Sequence, residues 1–281
     1  MAVGALNGRR LWLVYALFSF AAVASGGATL YLSGSAPGLV SLNSVAWLAG
    51  AAASFAIMAS GGHWVRTSAV PIAVAGLGAV FLFPDVDGVH RWLNLGPLAV
   101  NAAALLLPVT IVAIAQTGIR TPISIAASFL ILGILILQPD ASQVTAFAVA
   151  VSVMLAYSDR PGRVKAMALM LLLASIAFAW MRPDGLQPVP QSELVIELAW
   201  RESSLLAAVS LIALAGAALI PLARRNPLPS TGETQALTGY FLAAALCTFV
   251  GHYPVPMVGL GMSFVVGYWL GIGLLCSNYS R

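Results

Sequence analysis

Apolar residues fill this chain in long blocks, each closed by a short polar break. The blocks fall at roughly 11–33, 39–60, 67–84, 97–117, 121–138, 141–157, 163–181, 203–222, 235–252 and 256–276. A helix crosses the hydrocarbon core of a bilayer in about 20 residues, so the pattern predicts ten membrane-spanning helices. The stretch 121–157 is the one place where the count turns on a break. Gln138-Pro139-Asp140 divides it into two short spans, because a proline beside a charge is costly at mid-bilayer. Between the third and fourth blocks, Asp85-Val86-Asp87-Gly88-Val89-His90-Arg91-Trp92-Leu93-Asn94-Leu95-Gly96 interrupts the apolar sequence and must lie at a membrane face.

Composition agrees with the pattern. Of 281 residues, 60% are hydrophobic and 8% are charged, against roughly 25% charged in a soluble domain. The chain cannot cover a water-facing surface, and the expected architecture is all-α: one integral membrane domain, 1–281, built as a bundle of about ten transmembrane helices. Arg9-Arg10, an apolar run and Ala22-Val23-Ala24 resemble a cleavable leader. The apolar run continues to Leu32, however, so a retained first span is expected. Frequent Gly, Ala and Ser in the spans predict close helix packing rather than a wide pore. Cys247 and Cys276 lie in apolar segments without metal-ligand spacing and read as buried free thiols.

Charge sets the orientation. With the N-terminus cytoplasmic, the inner segments hold Arg9, Arg10, Arg66, Arg120, Arg160, Arg163, Lys165, Arg224, Arg225 and Arg281, and the outer ones only Arg91, Arg182 and Arg201. This is the positive-inside bias, and both termini are then expected in the cytoplasm. The net charge of +4 is dispersed, which argues against a nucleic-acid partner. Seven of the nine acids, Asp85, Asp87, Asp140, Asp184, Glu193, Glu197 and Glu202, fall outside. Such groups are commonly just solvated; the alternative is an outer face that handles a cation or a polar head group.

The longest outer connection, 182–202, holds the candidate chemistry. Pro183, Pro188 and Pro190 oppose a regular helix in its first half. Ser192 then reads as an N-cap for a short interfacial amphipathic helix. Leu194, Leu198 and Ala199 would face the membrane, with Glu193, Glu197 and Arg201 on the other side. These charges suit either a solvated face with a Glu197–Arg201 pair or a carboxylate whose pKa is raised by desolvation, poised as a general base.

Together these loops resemble the shape, elongation, division and sporulation (SEDS) family, the FtsW/RodA-type proteins of bacterial cell-wall synthesis. Gly88-Val89-His90-Arg91-Trp92-Leu93-Asn94-Leu95-Gly96 is similar to the family's Gly-Ala-x-Arg-Trp-Ile-x-Leu-Gly, and Gln138-Pro139-Asp140 to its Gln-Pro-Asp-x-Gly-Thr. Ser192-Glu193-Leu194-Val195 stands where the family has Thr-Asp-Phe-Ile, and Glu202 where it has a glutamate. Gly251-His252-Tyr253-Pro254-Val255-Pro256-Met257-Val258-Gly259-Leu260-Gly261 keeps part of the last-loop motif. The chain departs from the family in its shorter loops and in Glu193 replacing aspartate. It also carries Val265-Val266-Gly267-Tyr268 in place of Gly-Gly-Ser, and Arg201 where an acid is common.

The resemblance implies ten spans in the bacterial inner membrane and a glycosyltransferase acting on a lipid-linked sugar. Glu193 would be the base, with Glu202 near it; Arg91 would contact the donor pyrophosphate, Trp92 would anchor its loop, and Gln138 and Asp140 would stand in the substrate-binding set. No resident cofactor is implied, although a divalent cation is compatible with the transferase reading. The departures favour a second expectation, a non-catalytic scaffold subunit of a larger membrane complex. A third is a small lipid flippase or transporter, for which Asn43 and Asn101 are the mid-span polar candidates. His63, His90 and His252 lie near three different membrane ends and form no axial pair for a haem.

Overall fold

The computed structural model describes residues 6–96, 98–118, 121–182, 184–224 and 232–277. Arg120, Pro183, Arg225 and Arg281, used above for orientation and loop stiffness, lie outside the described residues. Among the described residues, ten helices are long: α1 (Gly8–Leu32), α2 (Pro37–Ala59), α3 (His63–Ala79), α4 (Ala102–Thr117), α5 (Pro122–Leu137), α6 (Ala141–Ala156), α7 (Gly162–Met181), α10 (Ser204–Leu219), α11 (Glu233–Val250) and α12 (Met262–Ser277). Two short ones, α8 (Pro190–Glu193) and α9 (Val195–Glu202), lie between α7 and α10. Among the described residues, five helical stretches are long and apolar enough to cross a membrane unaided, and Ala102–Thr117, Pro122–Leu137, Ala141–Ala156 and Met262–Ser277 are shorter apolar helices. The protein is a polytopic helical membrane protein.

Burial sorts the helices into two shells. Helices α4, α6, α11 and α12 are buried on most of their faces, whereas α5 and α7 bury only a narrow stripe. The outward side chains of α7, including Met167, Met170, Leu173 and Phe178, are large and apolar, as lipid contact requires. A 16-residue helix is roughly 24 Å long, less than the ~30 Å core. Helices α4, α6 and α12 have this length and are buried on most of their faces. Close approach comes from small residues: a Cβ at Gly267 would stand 2.1 Å from the carbonyl oxygen of Ala104, and one at Gly273 would stand 2.8 Å from Ser54.

Two helix starts differ most from the sequence reading. The fourth span begins at residue 102, not 97, because Trp92–Leu95 (β1) and Leu98–Asn101 (β2) form an antiparallel hairpin with Trp92 opposite Asn101. Gly96 turns there with φ +65°. The last helix begins at Met262, not 256. Residues 251–261 instead form an irregular strap, with Tyr253, Val255, Met257 and Val258 buried. Asn43 fastens this strap: its Nδ2 donates to the Gly259 carbonyl (2.7 Å), and its Oδ1 accepts from the Gly261 N–H (3.1 Å). Asn101 caps α4, its Oδ1 accepting from the Ala104 N–H at 2.9 Å. Both asparagines therefore satisfy backbone groups, as buried polar atoms must. Cys247 and Cys276 are buried free thiols.

Candidate active site

Connections α3–α4, α5–α6, α7–α10 and α11–α12 meet at one end of the bundle. Asp85 opens the first by accepting from the Gly88 N–H at 2.6 Å. Val86 and Val89 pair across Asp87 and Gly88, whose φ values are +51° and +80°. This is the geometry of a type I′ turn, which Asp-Gly favours. The turn carries the chain back so that Arg91 points into the protein.

Arg91 is 4% exposed and holds three connections together. Its Nη2 donates to the Pro139 carbonyl and to Asp184 Oδ2 (2.7 Å), and its Nε lies 3.3 Å from Asp140 Oδ2. The guanidinium also sits over the Tyr253 ring, 5.4 Å from its centre, a cation–π contact. Burial works against the Arg91 charge, but Asp140 and Asp184 outweigh it and hold its pKa above the usual value. Burial pushes the Asp140 carboxyl up, with Arg91 opposing. Asp140 Oδ1 also caps α6 through the Gln143 N–H at 3.1 Å. Gln138 donates from Nε2 to the Leu77 carbonyl (2.7 Å) and so ties the end of α5 to α3. Trp92 is half-buried at the start of β1.

Two adjoining clefts open beside this clamp. One, of about 250 Å³, is lined by Trp180, Arg182, Asp184, Leu186, Gly251, His252 and Tyr253. The other, of about 310 Å³, is walled by Glu193, Glu197, Phe249, Val255 and neighbours, and it shares Gly251 and His252 with the first. Glu193 is half-buried. Its Oε2 accepts from the Val189 N–H at 2.6 Å, an acid closing back on the first turn of its own helix as in a capping box. Burial raises the Glu193 pKa; the Val189 N–H opposes this, Asp184 adds to it, and the positive charges of Arg91 and His252 act against it.

Several sequence expectations change here. Ser192 does not cap a helix: it is inside α8, and its hydroxyl donates to the Leu260 carbonyl at 2.9 Å. Leu194 breaks the interfacial helix into α8 and α9. Ala199 faces the bundle together with Val195, both fully buried, and not the membrane. Glu197 and Arg201 are exposed, and no ion pair joins them among the described residues. Glu202 is exposed at the end of α9 and lines neither cleft. Arg91, Asp140 and Gln138 also stand behind the cleft walls, not in them. Asp184, Tyr253, Trp180, Arg182 and His252 were not assigned to the site from the sequence. The available signal was electrostatic: a lone arginine in an apolar setting needs carboxylates, and Asp184 is the next outer acid after Asp140. Among the described residues, no group of three or more His, Cys, Asp or Glu is placed to hold a metal.

No known protein-family profile matches the chain, and no curated protein matches its sequence. Solved structures do match. A point mutant of the Thermus thermophilus rod shape determining protein RodA superposes with a TM-score of 0.68 at 19% identity, covering 95% of this chain and 97% of that one. The unmutated RodA matches with a TM-score of 0.60 at 20% identity over 95% and 97% of the two chains. The fold is that of RodA. A chain from a peptidoglycan synthase complex, described for its structural coordination of polymerization and crosslinking, matches at 0.63 and 20% identity, covering 95% and 98%. The RodA fold thus spans this chain almost end to end, and the ten-helix count and the SEDS resemblance gain their support from it.

Proposed function

We infer that this chain is a RodA-type protein of the bacterial cytoplasmic membrane, working in cell-envelope synthesis as a glycosyltransferase on a lipid-linked sugar donor. One observation carries the reading: Glu193 presents a half-buried carboxylate on the wall of a cleft, with its pKa raised by burial. A base tuned upward toward the operating pH removes a proton from a sugar hydroxyl more effectively than an ordinary carboxylate. One Glu193 oxygen is held by the Val189 N–H, which fixes the side chain while the other oxygen meets the acceptor. Arg91 acts from behind by holding the connections in register. In this reading Arg182, in the neighbouring cleft, replaces it as the cation nearest the donor phosphates. The test is to reconstitute purified protein in liposomes with a lipid-linked disaccharide donor. Glycan product is expected; its absence under conditions where a RodA polymerises the same donor contradicts the reading.

A second reading has its own observation. The guanidinium expected to grip the donor is consumed by Asp140, Asp184 and Pro139. A clamp of this kind serves a rigid, non-catalytic scaffold equally well, and one of the matching folds comes from a complex. Co-purification of a stoichiometric membrane partner, with no turnover of donor, supports this alternative.

A further inference from the structure

His252 is the side chain that both clefts share. It lines the larger cleft together with Glu193, and the smaller together with Arg182 and Asp184. Its place is fixed by the backbone. The Val255 N–H donates to the Ser192 carbonyl at 3.0 Å, and the Leu260 N–H to the Gln191 carbonyl at 2.9 Å. The strap bearing His252 is therefore laced to α8, which bears Glu193. Gly251 permits this path: a Cβ there would stand 2.9 Å from the Tyr253 ring and 3.2 Å from Trp180. The ring itself is exposed at the mouth, so protons exchange freely with solvent.

Resting on the transferase reading, we propose that His252 is the general acid that pairs with Glu193. The acceptor hydroxyl binds in the larger cleft and the phosphorylated leaving group of the donor in the smaller. Glu193 takes the hydroxyl proton as the acceptor oxygen bonds to the anomeric carbon. The anomeric C–O bond to the donor breaks, and its electron pair leaves with the phosphate oxygen. His252 gives its proton to that oxygen. Water at the shared mouth then returns a proton to His252 and removes one from Glu193. Imidazole suits this role because it changes charge near neutral pH. The charged groups around it are Glu193 and Glu197 from α8 and α9, and Arg182 and Asp184 from the connection after α7. Arg91 and Asp140 lie below, beyond Tyr253. Arg91 already pairs with Asp184, and Arg182 donates from Nη1 to the Ile136 carbonyl, so an anionic group in this cleft meets His252 and the remaining guanidinium N–H groups of Arg182.

The experiment compares kcat against pH for the wild type, His252→Gln, His252→Lys and Glu193→Gln in liposomes with a lipid-linked disaccharide donor. His252→Gln should lose roughly 100-fold in kcat with little change in KM, and should lose the fall in rate at alkaline pH. His252→Lys, which keeps a proton to a higher pH, should recover part of the rate and move that fall upward. An unchanged profile in His252→Gln, with Glu193→Gln inactive, overturns the acid while leaving the base in place. Full activity in Glu193→Gln, or no turnover by the wild type, overturns the transferase reading and this proposal with it.

Discussion

Arg91 and Asp140 are each almost fully buried, and removing Arg91 leaves the Asp140 carboxylate without its cation, whereas Arg91 keeps Asp184 if Asp140 is removed. Breaking a buried ion pair from one side costs roughly 3–5 kcal/mol. Arg91→Met is thus expected to lower the thermal midpoint in detergent sharply, and Arg91→Met with Asp140→Asn to recover much of it. Asparagine still caps α6 while removing the uncompensated charge. Equal midpoints for the two variants would contradict the clamp. Glu193 makes a prediction of opposite sign for stability and activity. Its folded-state pKa lies above the unfolded value of about 4.3, so its contribution to stability is present below that value and is lost as pH rises through the folded pKa. A base works only when ionised, so the rate rises across the same window. Stability and rate measured against pH should cross, and Glu193→Gln should be at least as stable as the wild type at neutral pH. Glu193 was named a candidate base from the family-like segment 192–195, and the structure adds its place on a cleft wall. The clamp's second carboxylate, Asp184, was not legible, because it lies 93 positions from Arg91 and no local pattern links the two.

At the scale of elements, the site depends on the strap 251–261 crossing α8. Gly259 makes the crossing possible: a Cβ there would stand 2.1 Å from the Ser192 carbonyl oxygen, a backbone atom that cannot swing aside. Gly259→Ala is expected to part the strap from α8 and to lower turnover by at least an order of magnitude, with a smaller effect on the thermal midpoint. Unchanged turnover would show that strap and helix do not need to touch. The strap was hidden in the sequence because buried irregular backbone carries the same apolar composition as a spanning helix. The hairpin 92–101 left one trace, the Gly96-Pro97 dipeptide, which marks turns. The long helices were legible because burial in lipid requires apolar residues along their whole length. The split of the interfacial helix at Leu194 was not, and the Ser192–Leu260 hydrogen bond beside it joins residues 68 positions apart.

The whole molecule is read as ten spans with a common reactive end. Cysteine placed at Gln187 should therefore label with a membrane-impermeant maleimide in intact cells, and cysteine at Arg163 only after the membrane is opened. The reverse pattern would invert the orientation that the arginines predict. The ten-span count came through because polar breaks and basic residues agree on it, while the meeting of four connections at one end is a tertiary fact that no single break encodes. The central claim is that this RodA-type bundle carries a working base at Glu193. The most direct test is polymerisation of a lipid-linked disaccharide donor by reconstituted wild type, Glu193→Asp and Glu193→Gln, each checked for an intact thermal transition. Glycan is expected from the wild type, less from Glu193→Asp and none from Glu193→Gln; equal product from the wild type and Glu193→Gln would rule out Glu193 as the base.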